Sequence, residues 1–511
     1  MKRALPWIVL GVFLIYVAAA MFRPVRSSGG FKVAEFGRLP VLLSAHVQPI
    51  DSVAHLALFQ IRGTMNLPLE NPNARRWQVW KRTLTLDPAE WLLEVMTKPA
   101  AADTRKIFPI NDSNVLSRLQ LKPGAGEGYY AFKDLQAKLD EIGKETARIA
   151  KLEPGARAAW ERQWLKLQNA LVIYERLKNS LQPNSLLERE AGGKPVAFNF
   201  AASLNAYQSG LRESVKAAAA RKQGKQQEID QVTVEAMRAF AGSFVVVSRA
   251  AMLSVIPPTD PVKAGDRWEN IGTSIVNSAR TGRLPVAVGH FATMSSAYAH
   301  GKPEAFNADV AKYQQWLSKA YGPQVSKVRT QYFNNMFKPF VRAAAIYFVA
   351  FVLLCLFWFK RSTALYWSAL TLLVLAGVLH TAGLILGLMI EGRLPFASVY
   401  GSIIAAGWIV LLLAALAERF WRNGPGLGTA AAAGLIALST AHSLAPGGPA
   451  EWIRTVFDMS FLSAIVAIGI IGIFMALAEG RAFHMLRRIA NAMRSVVRQN
   501  KSEITVASPS C

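Results

Sequence analysis

The sequence predicts a mainly α-helical, polytopic membrane protein of about six spans that carries a large, mostly helical extracytoplasmic domain. Three observations carry this expectation. Residues 7–22 and five later segments are apolar, with Arg342 the one Lys, Arg, Asp or Glu among them, over lengths close to what a hydrocarbon core of roughly 30 Å demands. Lys and Arg gather in the connections that one orientation of the spans places inside. Between the first apolar segment and the others, apolar residues recur with helical rather than strand periodicity.

The elements follow in chain order. Lys2 and Arg3 precede the run from Trp7 to Phe22, which reads as an anchor helix or as a signal peptide cut near Ala18-Ala19-Ala20; the anchor is the expectation taken forward. Further on, Leu135, Leu139, Ile142, Ile149 and Leu152 share one helical face. After the Pro154-Gly155 break, Trp164, Leu167, Leu171, Tyr174 and Leu177 repeat the pattern, so an antiparallel helical hairpin is expected. A polar stretch, Arg221 to Gln227, interrupts a third helical region, and Pro257-Pro258-Thr259-Asp260-Pro261 marks a loop. A second hydrophobic region covers 341–359 and stops at Lys360-Arg361; spans are expected again over 364–390, 402–417, 427–445 and 459–478.

With the N-terminus inside, the inner segments hold Lys2, Arg3, Lys360, Arg361, Arg419, Arg422 and the tail's Arg481, Arg487, Arg488, Arg494, Arg498 and Lys501. The two short outer loops hold only Arg393 and Arg454. Both termini are therefore expected in the cytoplasm and residues 23–340 outside it, in a multi-pass protein of the cell (inner) membrane. The organisation is an anchor over 1–22, an extracytoplasmic (periplasmic) domain over 23–340, a five-span bundle over 341–480 and a basic tail over 481–511. In that tail Phe483, Leu486, Ile489, Met493 and Val497 form one face, which suits a helix lying on membrane lipid as well as simple retention of positive charge inside.

The net charge is +25, but it is spread along the chain without a zinc-finger or other nucleic-acid motif, so no nucleic acid is expected as a partner. Residues 23–340 contain 43 Lys and Arg against 27 Asp and Glu, a balance that favours anionic lipid or a carboxylate-bearing ligand. The two cysteines, Cys355 in an apolar run and Cys511 at the end, make neither a disulfide framework nor a metal or CxxCH spacing. No hydrolase pattern of paired carboxylates or Ser, His and Asp is found, so a catalytic residue is not named and enzymatic activity is left open.

Several segments, in order, carry a family likeness. Phe36-Gly37-Arg38-Leu39-Pro40-Val41-Leu42 followed by Gln48-Pro49-Ile50-Asp51-Ser52-Val53-Ala54 is similar to "GR-x-KPLDT-x-AR". Pro88-Ala89-Glu90-Trp91-Leu92-Leu93 and Phe333-Asn334-Asn335-Met336-Phe337-Lys338-Pro339-Phe340 look like later segments of the same family. His380-Thr381-Ala382-Gly383-Leu384 with the stretch from Glu391 to Ser402 resembles "H-x-x-GL…SGR-x-P-x-x-N-x-YES", with Ser398 and Gly401 at the Asn and Glu positions. Together these resemble the long-ectodomain members of the CcsA/ResC family, the System II cytochrome c biogenesis proteins of the membrane. The family's tryptophan-rich haem-handling segment is absent, since no Trp follows Trp452. The stretch Val456-Phe457-Asp458-Met459-Ser460-Phe461 is similar to its "VLDTNF", yet Ala464-Ile465-Val466 follows where a histidine is usual. The chain looks like the front half of such a protein, or a diverged paralogue.

The resemblance implies a protein that handles or delivers haem for attachment to apocytochrome c outside the cytoplasm, with a complementary assembly subunit supplying what is missing. His380, within 27 uncharged residues, falls on the family's intramembrane histidine and is the expected iron ligand; a packing histidine bonded to a neighbouring carbonyl is the plain alternative. Gly377, Gly383 and Gly387 surround it and leave room for a flat ligand or a close helix. Arg393, placed one or two turns beyond it, is expected to clamp a haem propionate or to anchor at the interface. His442, at the outer end of its span, is the candidate substitute for the missing external ligand. The rival expectation is a non-catalytic membrane scaffold that recruits apocytochrome or a partner subunit without binding haem. A sensory receptor is disfavoured because about thirty residues follow the last span, too few for an effector domain.

Overall fold

The computed structural model describes residues 4–444 apart from 22–28, 66, 70–84, 123–127, 188–189, 192–193, 196–197, 224–229, 259–266, 395, 397 and 422–423. The expected span over 459–478, the basic tail and Arg454 lie outside the described residues. The chain is mainly helical with little strand. In chain order, the helices of ten residues or more are α1 (Leu5–Met21), α2 (Ile50–Arg62), α3 (Pro88–Thr97), α4 (Leu139–Ala150), α5 (Ala159–Lys178), α6 (Phe200–Lys222), α7 (Gln231–Ser243) and α8 (Ile271–Thr281). They continue with α9 (Val286–Ala299), α10 (Pro303–Ala320), α11 (Gly322–Phe337), α12 (Pro339–Lys360), α13 (Thr363–Glu391), α14 (Val399–Trp421) and α15 (Pro425–Leu444). The chain divides into two units, Pro24–Tyr332 and the combination of Met1–Arg23 with Phe333–Cys511.

In the unit 24–332, α3 is central. Asp87 caps its N-terminus by accepting from the Ala89 amide at 2.9 Å, with Pro88 at the first helical position, a pairing of cap and proline that starts helices at little cost. Trp91, Leu92, Leu93, Val95 and Met96 are then all buried, so every face of this helix meets protein. It packs on α2, α5 and α9. Asp112, Asn199, Asp230 and Asn270 cap other helices in the same way. The expected hairpin is present as α4 and α5: Ile142 and Ile149 on one helix and Trp164, Leu167, Leu171, Tyr174 and Leu177 on the other are buried. Trp164 Nε1 donates to the Ile142 carbonyl at 3.1 Å, and Arg148 meets Glu161 at 2.9 Å, contacts whose order runs antiparallel.

The strands are short pairs. β1 (Pro40–Leu43) and β2 (His46–Pro49) form an antiparallel hairpin whose turn residues Ser44 and Ala45 both have positive φ, 51° and 64°. Charges that enter this core are paired. Lys178 is 2% exposed and bonds Asp103 Oδ2 at 2.9 Å, while the Tyr174 hydroxyl donates to Asp103 Oδ1 at 2.8 Å. Arg105 grips Glu94 through Nε and Nη2 at 3.2 and 2.9 Å, a two-point geometry that satisfies both groups.

Among the described residues three helical stretches are long and apolar enough to cross a membrane: Gly322–Lys360, of which 333–360 belong to the other unit, and Thr363–Glu391 and Val399–Arg419 within it. Leu5–Ala19 is apolar but shorter, and α15, rich in Ala and Gly, is not among the three. Lys338, in left-handed conformation with φ 45°, precedes Pro339 at the start of α12. α12 packs along α13 and α15, α14 along α15, and α1 along α13. Small residues permit these approaches: a Cβ on Gly434 would sit 2.7 Å from the Tyr347 ring, and one on Gly383 would sit 2.5 Å from the Phe340 ring.

Candidate functional site

Within this helical unit two polar features face the protein interior. The first is His380 on α13, fully buried. Its Nε2 lies 3.1 Å from the Ile404 carbonyl oxygen of α14 and its Nδ1 lies 3.3 Å from the Tyr347 hydroxyl of α12. A carbonyl oxygen only accepts, so Nε2 carries the proton and Nδ1 accepts from Tyr347. Phe340 and Tyr347 set their rings edge-on to the imidazole at centroid distances of 5.9 and 6.1 Å. The histidine therefore joins three helices through two hydrogen bonds and two aromatic contacts.

Iron ligation needs a free nitrogen lone pair and an open face for a flat macrocycle. Here the lone pair of Nδ1 is taken, and the notch at Gly383 is filled by the Phe340 ring. Leu411 closes on Gly377 at 3.3 Å from its ideal Cβ. Among these glycines only Gly387 has open space beside it. The residues at His380 do not fit a haem. Arg393 is exposed just past the left-handed Gly392, φ 66°, that ends α13. It follows His380 by thirteen residues, roughly 20 Å along a helix axis, between three and four turns rather than the one or two expected. His442 is exposed in the last turn of α15. No hydrogen bond links Arg393, His442 and His380 among the described residues, and no group of three or more His, Cys, Asp or Glu side chains there is placed to hold a metal ion.

The second feature is Glu418 on α14, 4% exposed. Its Oε1 accepts from the Gly424 amide at 2.8 Å and from the Tyr366 hydroxyl at 3.1 Å, and its Oε2 accepts from the Gly426 amide at 3.0 Å. A carboxylate on the open amides of a helix N-terminus meets both the hydrogen-bond demand and the helix dipole there. This tie makes α14 and α15 a hairpin. No residue pattern advertises it, because two of its three partners are backbone amides and the third, Tyr366, is 52 residues away. Midway along, Trp408 Nε1 donates to the Thr381 hydroxyl at 2.9 Å, a second polar link between α13 and α14.

Three histidines of the other unit, His55, His290 and His300, have hydrogen-bond partners within that unit. His55 Nδ1 lies 2.8 Å from the Asp51 carbonyl and His300 Nδ1 lies 2.7 Å from the Ser296 carbonyl. His290 Nδ1 sits 3.2 Å from Asp309 Oδ1. No protein-family model matches the chain, and no curated protein matches it.

Proposed function

We propose that this chain is a membrane component of cytochrome c assembly, similar to CcsA/ResC-type System II proteins, that works as a scaffold and leaves haem ligation to another subunit. The likeness to that family rests on the ordered segments from Phe36 to Phe461. The scaffold reading rests on one observation: both ring nitrogens of His380 are committed to neighbouring helices. In this reading the helical unit formed by residues 24–332 lies outside the cytoplasm and recruits apocytochrome c or the complementary subunit. The apolar segments, six with the anchor and 459–478, hold that unit at the membrane surface.

Two experiments test this. Reporter fusions after residues 300 and 395 are expected to be active only outside the cytoplasm, and fusions after 361, 423 and 500 only inside; a folding cytoplasmic reporter active at residue 300 overturns the topology. Produced alone in a host deleted for its own maturation system, the chain is expected to give no covalent haem on a CxxCH reporter and to purify without a Soret band. It is expected to retain an apocytochrome c or a partner subunit on affinity capture from membranes that contain one. Haem-stained reporter in that strain overturns the scaffold reading.

A further inference from the structure

The side of the helical unit between α13 and α14 holds a groove of about 1040 Å³, at the top of the range of ligand pockets. Its α13 wall is one helix face from Thr363 to Ile385, recurring at three- and four-residue steps and so extending roughly 33 Å. Most of that length is apolar and open, with Val374 and Val378 each 59% exposed. Trp408 and Thr381, which also line it, bond each other. Charge gathers at one end, where Thr363, Tyr366, Glu418 and Arg419 line the groove. The Glu418 carboxylate is engaged there by the Tyr366 hydroxyl and the first amides of α15, whereas Arg419 is exposed and has no ion pair among the described residues. Arg361 reaches the same end: its guanidinium carbon lies 5.7 Å from the ring centroid of Phe357, which lines the groove and packs on Tyr366 at 5.5 Å.

We propose that this groove binds an anionic glycerophospholipid, its phosphate held by Arg361 and Arg419 at the charged end and its acyl chains laid between α13 and α14. The site has the polarity of an amphiphile, with cations at one end and an apolar trough behind them. Guanidinium groups meet phosphate oxygens through paired N–H donors, and basic pockets between membrane helices suit anionic head groups. A hydrocarbon leaflet is roughly 15 Å deep, half of a core of roughly 30 Å, so the chains of a lipid rooted at Arg419 cover the stripe from Thr363 to about Val374. A zwitterionic lipid brings its own cation to the same end, and the Glu418 carboxylate, already engaged, does not offset the repulsion from the two arginines. Trp358 and Trp367, 40% and 54% exposed, adjoin Phe357 and Tyr366 in the chain and suit this end to the membrane interface, where tryptophan is enriched. The inference rests on the apolar helices crossing a membrane and not on the assembly function.

Lipid titration read by native mass spectrometry tests the site. Full-length chain in a non-ionic detergent is titrated with dioleoylphosphatidylglycerol and, separately, with dioleoylphosphatidylcholine, which share acyl chains and differ in head group. With two arginines facing the phosphate, the first phosphatidylglycerol adduct is expected to be about thirtyfold tighter than its phosphatidylcholine counterpart. Arg361→Gln with Arg419→Gln, both at exposed positions, is expected to bring the two lipids level without changing the circular dichroism or the elution volume. Val374→Trp, which fills the trough, is expected to abolish the tight adduct, and Val352→Trp, exposed on α12 outside the groove, to keep it. In phosphatidylcholine bilayers, phosphatidylglycerol with a photoreactive acyl chain is expected to label α13 and α14 along the groove in wild type and to lose that preference in the arginine double variant. Equal affinity of wild type for the two lipids, a preference that survives the double variant, or label spread evenly over α1 and α12 as well would overturn the proposal. A wild-type Soret band that the double variant loses would also overturn it, by giving the groove to haem.

Discussion

Replacing His380 by alanine removes two interhelical hydrogen bonds and leaves a void the size of an imidazole between α12, α13 and α14. Bonds of this kind inside membranes contribute about 0.6 kcal/mol each on average and at most about 1.7. Truncating a fully buried side chain costs about 2–5 kcal/mol in well-packed cores. His380 is fully buried and touches Phe340 and Tyr347, so the loss for His380→Ala is expected near 3 kcal/mol, within the same ranges. Tyr347→Phe keeps the ring in its place against Gly434 and deletes only the hydroxyl, for about 1 kcal/mol. In a double-mutant cycle the two changes are expected to couple by about 0.6 kcal/mol, because Tyr347 and His380 share a bond. His380→Gln retains an N–H that reaches the Ile404 carbonyl and is expected to recover part of the loss. Denaturant titration in a fixed detergent reads the wild type and the four variants, and a visible spectrum accompanies each. A stable His380→Ala variant, or a wild-type Soret band that this change abolishes and added imidazole restores, would refute the pinning role and return His380 to iron.

Three further outcomes follow from the unit 24–332. Asp103→Ala strands the buried ammonium of Lys178, so a loss of about 3–5 kcal/mol is expected in equilibrium unfolding, while Asp103→Leu with Lys178→Met is expected to lose far less; equal losses would refute the argument. Burial and the adjoining Asp103 carboxylate hold the Tyr174 hydroxyl well above its ordinary range. The neutral form is thus the one the fold prefers, and this contribution is complete below the unfolded value of about 10 and lost as pH rises beyond it. Tyr174→Phe is expected to flatten the fall in denaturation midpoint above about pH 10, and an unchanged slope would count against it. Ser44→Asn with Ala45→Gly suits the exposed turn where both residues have positive φ, and a gain of about 1 kcal/mol is expected; a loss would mean that the turn is not of the type that favours Asn-Gly.

What was legible in the sequence was whatever repeats at a period. The α4–α5 hairpin could be read because its buried residues recur at helical steps on both sides of Pro154-Gly155, and three of the apolar runs are helices of spanning length for the same reason. The β1–β2 hairpin was invisible, since Leu-Ser-Ala-His carries no Asn-Gly or Asp-Gly signal and each strand is four residues long. Lys178 looks like an ordinary charge at the end of a helix; its partner Asp103 is 75 residues away, and no local pattern connects them. The candidate site divides in the same way. That a buried imidazole at position 380 must find partners follows from the cost of leaving it unbonded among apolar residues, and the sequence announces that need. It cannot announce the answer, because one partner is the Ile404 carbonyl, a group every residue has, and the other depends on Gly434 admitting the Tyr347 ring. The family likeness supplied iron for the open position, whereas two helices supply a carbonyl and a hydroxyl at hydrogen-bonding distance. A histidine with both nitrogens bonded is a poor ligand for the same reason that it is a good pin: releasing Nδ1 to a metal would leave the Tyr347 hydroxyl without its acceptor inside an apolar bundle, at a cost of about 1–3 kcal/mol. Haem binding at this position therefore requires Tyr347 and Phe340 to move together, and Tyr347→Phe, which removes the competing hydroxyl, is the variant in which iron ligation by His380 has its best opportunity. A Soret band in Tyr347→Phe but not in wild type would identify the hydroxyl as the group that keeps His380 from iron, and colourless protein in both would leave the imidazole as a strut.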